Sequence, residues 1–320
     1  MDTAARLNRL RGSLLCEPEL LRQLAELGET IALGAGEQVF AEGDQGGDLY
    51  VVLAGTALAR RRTPFGELRI ASFEAGNIVG EVSLLDGKPR STTVAAEGPA
   101  SLLRLDAGSL RRACEADAPF AVGVLRLLWH ALSAKVRAAN AVMLEIMSEG
   151  AAVPSAGRAA DGQKVAMTDS AKQVFLQLLG LDESELSQIT AHAHAERFQA
   201  EALIFSEGDA GEALYVVHEG KVRISRRPPG MGEEALAILS RGEAFGEMAL
   251  VDDHPRSADA RAHLGECTVL VLGRSDLEAA FAASPLAARQ FLTLMCKILC
   301  RRLRVMTDQL VAWKVMSGFG

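Results

Sequence analysis

The chain has 320 residues, of which 49% are hydrophobic and 23% charged, and this is enough for two domains with ordinary apolar cores. Its net charge is -7 and neither half is basic, which argues against a nucleic-acid-binding surface. The five cysteines are irregularly spaced, so neither a disulfide framework nor a metal site is indicated. The sequence shows no signal peptide and no apolar run of roughly 20 residues, so we expect a cytoplasmic protein without a membrane segment.

The first half begins with helical periodicity and then changes to short strands. Leucines recur at three- and four-residue steps over residues 5–28, and Pro18 divides this helix into two pieces. From Glu29, glycines separate short apolar strands at intervals of about 8–12 residues, which is typical of a small β-barrel or jelly roll. The strands are expected to end near Leu105, and an apolar stripe then predicts a helix over residues 119–147.

Residues 149–167 are small and polar and contain proline and glycine, which predicts a flexible linker. The linker separates a predicted first domain, residues 1–148, from a predicted second domain, residues 168–320. The second domain is expected to contain, in order, helices over 169–190, strands from about 195 to 272 and a long helix over 285–314.

Two sequence blocks occur twice, in the same order. The block that contains Gly43 returns 165 residues later at Gly208, with the same Glu-Gly-Asp and Leu-Tyr-Val-Val segments around it. The block that runs from Gly80 to Arg90 returns 166 residues later, from Gly246 to Arg256. Two blocks that repeat with nearly one spacing predict a duplicated domain.

The second of these blocks has the residues expected of a site for a sugar next to a single phosphate. Its glycine lets backbone N–H groups approach a ligand, and the helical turn that follows points further N–H groups the same way. Its arginine offers a planar, permanently charged fork to phosphate oxygens, and its glutamate can accept from sugar hydroxyls. The two copies read Val79-Gly80-Glu81-Val82-Ser83-Leu84, four residues, Pro89-Arg90-Ser91-Thr92, and Phe245-Gly246-Glu247-Met248-Ala249-Leu250, four residues, Pro255-Arg256-Ser257-Ala258.

These copies closely resemble the phosphate-binding cassette of cyclic nucleotide-binding domains, as in the bacterial catabolite activator protein and the regulatory subunit of protein kinase A. We call residues 79–92 the first cassette and residues 245–258 the second cassette; the first departs from the family pattern at Val79, where phenylalanine is usual. The resemblance implies a mainly β fold with α: two tandem β-jelly-roll cyclic-nucleotide-binding domains, each flanked by helices, with a long C-terminal helix. It also implies that each barrel binds one cyclic nucleotide, cAMP or cGMP, and no other cofactor.

By this resemblance, matching residues would bind the ligand in both copies. Arg90 and Arg256 would pair with the exocyclic phosphate oxygens, and Glu81 and Glu247 would accept from the ribose 2′-hydroxyl. The other site residues would add backbone N–H groups, hydroxyls or close backbone approach: Gly80, Ser83, Ser91, Thr92, Gly246, Ala249, Ser257 and Ala258. The alternative is a structural Glu–Arg ion pair in a domain that no longer binds ligand. Because both copies keep the glycine, glutamate and arginine, we expect two sites, and Val79 makes us expect the second to be tighter.

No catalytic or metal-ligand set is visible, which favours a sensor over an enzyme. In this family the helix after the barrel moves when ligand binds. The leading interpretation is therefore a cAMP or cGMP sensor that regulates an unidentified partner protein through the helices after each barrel. The alternative is a transcription-type regulator of the catabolite-activator family that lacks its own helix-turn-helix. Direct DNA binding is not expected, and the choice of base, the partner and the sign of the response stay open.

The last predicted helix carries a continuous apolar stripe at three- and four-residue steps: Leu292, Met295, Leu299, Leu303, Met306, Leu310 and Trp313. Six turns at 5.4 Å reach roughly 30 Å. The barrel of the second domain is not expected to cover that length, so another surface should bury the second half of the stripe. We expect a homodimer through this helix, with docking on the first domain of the same chain or on a partner protein as alternatives.

Overall fold

The computed structural model of the chain describes residues 2–147, 162–168, 170–172, 174, 193–227, 233–252 and 254–316. The chain divides into two compact units, and each contains one barrel. The first unit comprises Met1–Ala139 together with Leu292–Gly320, and the second comprises Asn140–Phe291.

The barrel of the first unit is made of two four-stranded antiparallel sheets. Its strands are β1 (Glu29–Leu33), β2 (Gln38–Phe40), β3 (Leu49–Ala54), β4 (Ala57–Thr63), β5 (Gly66–Phe73), β6 (Ile78–Val79), β7 (Thr93–Ala96) and β8 (Ala100–Leu105). One sheet has the order β1-β8-β3-β6 and the other β2-β7-β4-β5. Val52, Val94 and Leu102 come from both sheets and share one buried core. The apolar, β-branched character of these strands therefore builds the jelly roll that the sequence predicts.

Helices lie before, inside and after this barrel. They are α1 (Thr3–Arg9), α2 (Arg11–Leu14), α3 (Pro18–Leu27), α4 (Glu81–Asp86), α5 (Ala107–Ala116) and α6 (Ala118–Met147). Pro18 is the first residue of α3, where its fixed φ suits the first helical turn. The side chains of Leu128 and Leu132 on α6 are fully buried, in agreement with the apolar stripe that predicted this helix.

The second unit repeats the barrel. Its elements are β9 (Gln163–Val165), β10 (His194–Phe198), β11 (Leu203–Phe205), β12 (Ala213–Glu219), β13 (Val222–Arg226), β14 (Glu234–Leu239), β15 (Ala244–Phe245), a 3-10 turn (Met248–Leu250), β16 (Asp259–Ala262), β17 (Cys267–Gly273) and α7 (Arg274–Ala283). The sheet orders are β15-β12-β17-β10-β9 and β11-β16-β13-β14. Apart from the edge strand β9, the two barrels have the same strand order.

The strand that leads into each cassette has the same register in both barrels. Tyr50 of β3 lies opposite Val79 of β6, and Tyr215 of β12 lies opposite Phe245 of β15. The predicted fold class, two tandem jelly rolls with flanking helices and a long C-terminal helix, is confirmed.

Part of the predicted linker has a regular structure. Gln163–Val165 forms β9, which pairs antiparallel with β10 and extends the sheet by one strand. Most of the predicted linker, and nearly all of the helices predicted over 169–190, lie outside the described residues. The domain boundaries at 148 and 168 therefore stay predictions.

The last helix, α8 (Pro285–Met316), belongs to the first unit from Leu292 onward. The side chains of Met295 and Leu299 are fully buried, and Leu310 is only 4% exposed. Leu310 in the second half of the stripe is therefore covered within the first unit, whereas Leu303, Met306 and Trp313 are half-buried, and the homodimer stays a prediction. The helices in the described ranges include none with the length and apolar character needed to cross a bilayer.

Two thiols of α8 are part of this packing. Cys296 and Cys300 are fully buried, so this pair belongs to a core. Burial is the main cause that raises the pKa of both thiols, so they stay protonated and apolar in character.

Candidate functional site

The second cassette begins with a glycine in a left-handed backbone conformation. Gly246 follows β15 and has a φ of +80°, which glycine adopts without strain. A Cβ at this position would lie 2.5 Å from Nη1 of Arg256. The chain therefore needs a glycine here both for the turn and for the close approach of the arginine.

Arg256 is held by backbone carbonyls and by an aromatic ring. Its Nη1 donates to the Gly246 carbonyl at 2.7 Å, and its Nη2 donates to the Ala213 carbonyl at 2.8 Å. The guanidinium carbon lies 4.3 Å from the centre of the Phe205 ring. The residue is only 5% exposed, and its buried Nε has no hydrogen-bond partner among the described residues. A fixed positive group that keeps unused N–H donors is suited to an anion.

The surroundings of Arg256 are aromatic as well as polar. The rings of Tyr215 and Phe245 stack with their centres 5.1 Å apart, and Phe205 lies 5.6 Å from Tyr215. Burial lowers the pKa of Arg256, while the neighbouring Tyr215 and Glu247 act in the opposite direction. Burial also raises the pKa of Tyr215, so the phenol stays neutral. The site thus presents a desolvated cation, which binds an anion more strongly than an exposed one does.

The first cassette repeats the arginine geometry closely. Gly80 has a φ of +93°. Nη1 of Arg90 donates to the Gly80 carbonyl at 2.9 Å, and Nη2 donates to the Asp48 carbonyl at 2.8 Å. The guanidinium carbon lies 4.2 Å from the centre of the Phe40 ring. Position for position, both cassettes place a buried arginine over a phenylalanine and against the same two backbone carbonyls.

The glutamate of the first cassette has a partner from outside the cassette. Glu81 is 1% exposed, and its Oε1 accepts a hydrogen bond from Nζ of Lys135 at 2.6 Å. The same ammonium donates to the Ile78 carbonyl at 2.7 Å and lies 4.6 Å from the centre of the Phe73 ring. Oε2 of Glu81 is buried without a hydrogen-bond partner in the part of the chain that the structure describes. In the first cassette Glu81 is thus paired with Lys135 of α6, and the hydrogen bonds of Arg90 go to backbone carbonyls.

The remaining residues named from the sequence lie in the same two segments. Ser83, Ala249 and Ala258 are buried, and Ser91, Thr92 and Ser257 are half-buried. Glu247 is fully buried directly before the 3-10 turn. Each cassette therefore brings its glycine, glutamate and arginine together, which is the geometric condition for the predicted site; their role in binding is proposed below.

Sequence reasoning missed the aromatic and lysine neighbours. Phe40 and Phe205 both stand two residues before a Glu-Gly pair, at the same 165-residue offset, so the repeat could have revealed them. Lys135 had no such signal, because it is one of several basic residues along a helix.

Val79 has a clear structural effect: in the second barrel Phe245 stacks on Tyr215, whereas in the first barrel an aliphatic side chain lies opposite Tyr50.

A protein-family model described as "Cyclic nucleotide-binding domain" matches residues 30–117 and 195–284, which together are more than half of the chain. The chain belongs to the cyclic nucleotide-binding domain family. Each matched range contains one complete cassette, so the family domain is present twice.

Several curated proteins of this family are similar to the chain. The cyclic AMP receptor protein of Thermus thermophilus is 45% identical over 101 residues, which are 32% of this chain and 44% of that protein. The cAMP-dependent protein kinase regulatory subunit of Blastocladiella emersonii is 26% identical over 231 residues, 72% of this chain and 47% of that protein. The chain thus spans about half the length of these relatives. By name, the first is a receptor protein and the second a regulatory subunit.

Two solved structures are similar to the chain over different shares of its length. The regulatory domain of Toxoplasma gondii PKA with cAMP is 22% identical, with a TM-score of 0.33, over 90% of this chain and 94% of that one. A cyclic nucleotide-binding domain from Methylobacillus flagellatus is 22% identical, with a TM-score of 0.45, over 48% of this chain and 89% of that one. Both TM-scores are low, so the assignment to the family depends on the sequence match.

The described residues contain no group of three or more His, Cys, Asp or Glu side chains that could hold a metal ion.

Proposed function

We propose that this member of the cyclic nucleotide-binding domain family is a regulatory protein that binds cAMP or cGMP at two sites, one in each barrel. One observation carries the proposal: both cassettes combine a left-handed glycine, a buried glutamate and a buried arginine stacked on phenylalanine. A domain that had lost its ligand would have little reason to keep a desolvated arginine twice, because burying a cation costs free energy.

The cyclic phosphate binds at the arginine in this proposal. The two Nη groups of Arg256 are held by the Gly246 and Ala213 carbonyls, while Nε has no described partner. An exocyclic phosphate oxygen would therefore pair with guanidinium N–H groups that the two carbonyls leave unused. Arg90 has the same two carbonyl contacts and would bind the phosphate in the first site.

The ribose binds at the glutamate. A 2′-hydroxyl would donate to Glu247 in the second site and to Oε2 of Glu81 in the first, since Oε1 already accepts from Lys135. Backbone N–H groups near the two glycines and the hydroxyls of Ser91 and Ser257 would complete the contacts. The full set of proposed site residues is Gly80, Glu81, Ser83, Arg90, Ser91, Thr92, Gly246, Glu247, Ala249, Arg256, Ser257 and Ala258.

The output of such a sensor is a change in the helices that follow each barrel, passed to a partner protein. The relatives that cover most of the chain are regulatory subunits of a kinase, which supports a regulatory role over an enzymatic one. The alternative, a transcription-type regulator without its own helix-turn-helix, has less support, because the receptor-protein match covers only 32% of the chain. We place the protein in the cytoplasm.

The test is calorimetric titration of the whole chain with cAMP and with cGMP. We expect two ligands per chain, with the second barrel tighter, one ligand for Arg90→Ala, one for Arg256→Ala and none for the double variant. Arg223→Ala is the matched control, because Arg223 is a half-buried arginine of the second barrel that pairs with Glu201 and Glu233 outside the cassette. A wild-type protein that binds neither nucleotide would refute the proposed function.

A further inference from the structure

The last helix contacts the first cassette through one arginine. Nε of Arg304 lies 2.6 Å from Oδ2 of Asp86, and Nη2 lies 3.0 Å from Oδ1, so the pair is bidentate. Nη2 also donates to the Pro89 carbonyl at 3.1 Å. One side chain of α8 therefore holds the last residue of α4 and the residue directly before Arg90.

This contact is partly shielded from water. The side chains of Arg304 and Asp86 are 19% and 14% exposed. A second ion pair joins the same elements, between Arg61 and Asp308, but Asp308 is 63% exposed and such pairs contribute little. The Arg304 contact is therefore the one expected to restrain the cassette.

The ion pair of Arg61 has a counterpart in the second barrel. Arg61 pairs with Glu42 in the first barrel, and the matching Arg226 pairs with Glu207 in the second. Arg61 additionally donates to the Ser91 carbonyl at 2.9 Å and reaches Asp308 of α8. The Arg–Glu pair is thus common to both copies, and in the first copy α8 is joined to it.

The core next to this contact belongs to the same surface of α8. Cys300, one turn before Arg304, is buried, and the charges of Glu81 and Asp86 contribute to its raised pKa after burial itself. The helix therefore places a buried thiol one turn before the contact of Arg304 with Asp86.

We propose that Arg304 is a positioning residue of the first ligand site, and that docking of the terminal helix and ligand binding at this site favour each other. The inference rests on the proposed function. With α8 docked, Gly80, Glu81 and Arg90 are already assembled, and Arg304 fixes the segment from Asp86 to Pro89 that leads to Arg90. Without this contact the segment gains conformational freedom that ligand binding must remove, so affinity falls. By linkage, ligand at the first site must in turn strengthen the docking of the helix.

The test uses the whole chain with Arg256→Ala, which leaves only the first site. Adding Arg304→Glu should weaken cAMP or cGMP binding by roughly fivefold or more, the lower end of typical couplings between sites. Arg301→Glu is the matched control, because it makes the same charge change at an exposed position on the same helix and should leave affinity unchanged. Hydrogen exchange over residues 300–316 should slow in the Arg256→Ala protein when the first site is saturated.

A rescue separates positioning from loss of folding. Asp86→Arg combined with Arg304→Glu reverses the pair and should restore part of the first-site affinity. In an Arg90→Ala chain, which keeps only the second site, Arg304→Glu should leave affinity unchanged; an equal loss at both sites would overturn the positioning role. Unaltered first-site binding in the Arg304 variant would overturn the positioning role alone. Absence of binding in the wild type would overturn the proposed function and this inference with it.

Discussion

Replacing Arg256 by alanine should disable the second site more than it destabilises the protein. In the structure this side chain is 5% exposed and is the cation within the second cassette. Truncating one partner of a buried hydrogen-bonded charge pair costs roughly 2–5 kcal/mol of binding free energy. That corresponds to a loss of affinity of roughly 30-fold to several-thousand-fold.

The same substitution also removes two internal hydrogen bonds. The carbonyls of Gly246 and Ala213 lose their guanidinium donors. A buried acceptor without a partner costs about 1–3 kcal/mol, and water that enters the vacated space offsets part of this. We therefore expect a measurable fall in the free energy of unfolding, together with the larger loss in binding.

Two measurements separate these effects. Calorimetric titration is done in an Arg90→Ala chain, so that only the second site is read, and thermal unfolding is followed without ligand. Arg256→Lys keeps the charge but not the planar fork, so it should recover only part of the affinity. If Arg256→Ala binds cAMP and cGMP as tightly as its parent, the pocket assigned here is wrong.

Three further outcomes are expected. Gly80→Ala should lower the melting temperature and weaken the first site, because φ is +93° and the added Cβ would lie 2.5 Å from a backbone carbonyl oxygen. Val79→Phe should bring first-site affinity closer to that of the second site, since it gives Tyr50 an aromatic partner of the kind that Tyr215 has; unchanged affinity by titration would contradict this. Met306→Glu with Leu310→Glu should lower the melting temperature, because Leu310 is buried in the first unit. Light scattering of the wild type tests the homodimer, and a monomer would exclude it.

Much of the fold could be read from local and repeated patterns. Glycines between short apolar runs predict the strands, and two blocks at nearly one offset predict the duplication. The cassettes were predictable for the same reason. Gly246 and Arg256 are only ten positions apart in one continuous segment, so local sequence determines their geometry.

Contacts between distant parts of the chain could not be read in this way. Lys135 meets Glu81 across 54 positions and Arg304 meets Asp86 across 218, and no periodic pattern distinguishes either basic residue from its neighbours. The docking of Leu310 on the first domain could be named only as an alternative, because the stripe indicates that a face is buried but not which surface buries it. Strand β9 was missed because a short polar segment gains strand structure from the edge it joins, not from its own propensity.

The division of α8 between two units has a consequence for the order in which the protein can fold during synthesis. The first barrel leaves the ribosome early, but Met295, Leu299 and Leu310, which complete the packing of its unit, are translated only after the second barrel. Domains usually fold in the order in which they emerge. Here the nascent first unit must keep apolar surface uncovered while some 150 residues are added, so the second barrel has the chance to fold before the first is finished. Deletions or fusions at the carboxyl end should accordingly disturb the packing of the first unit and, with it, the amino-terminal site.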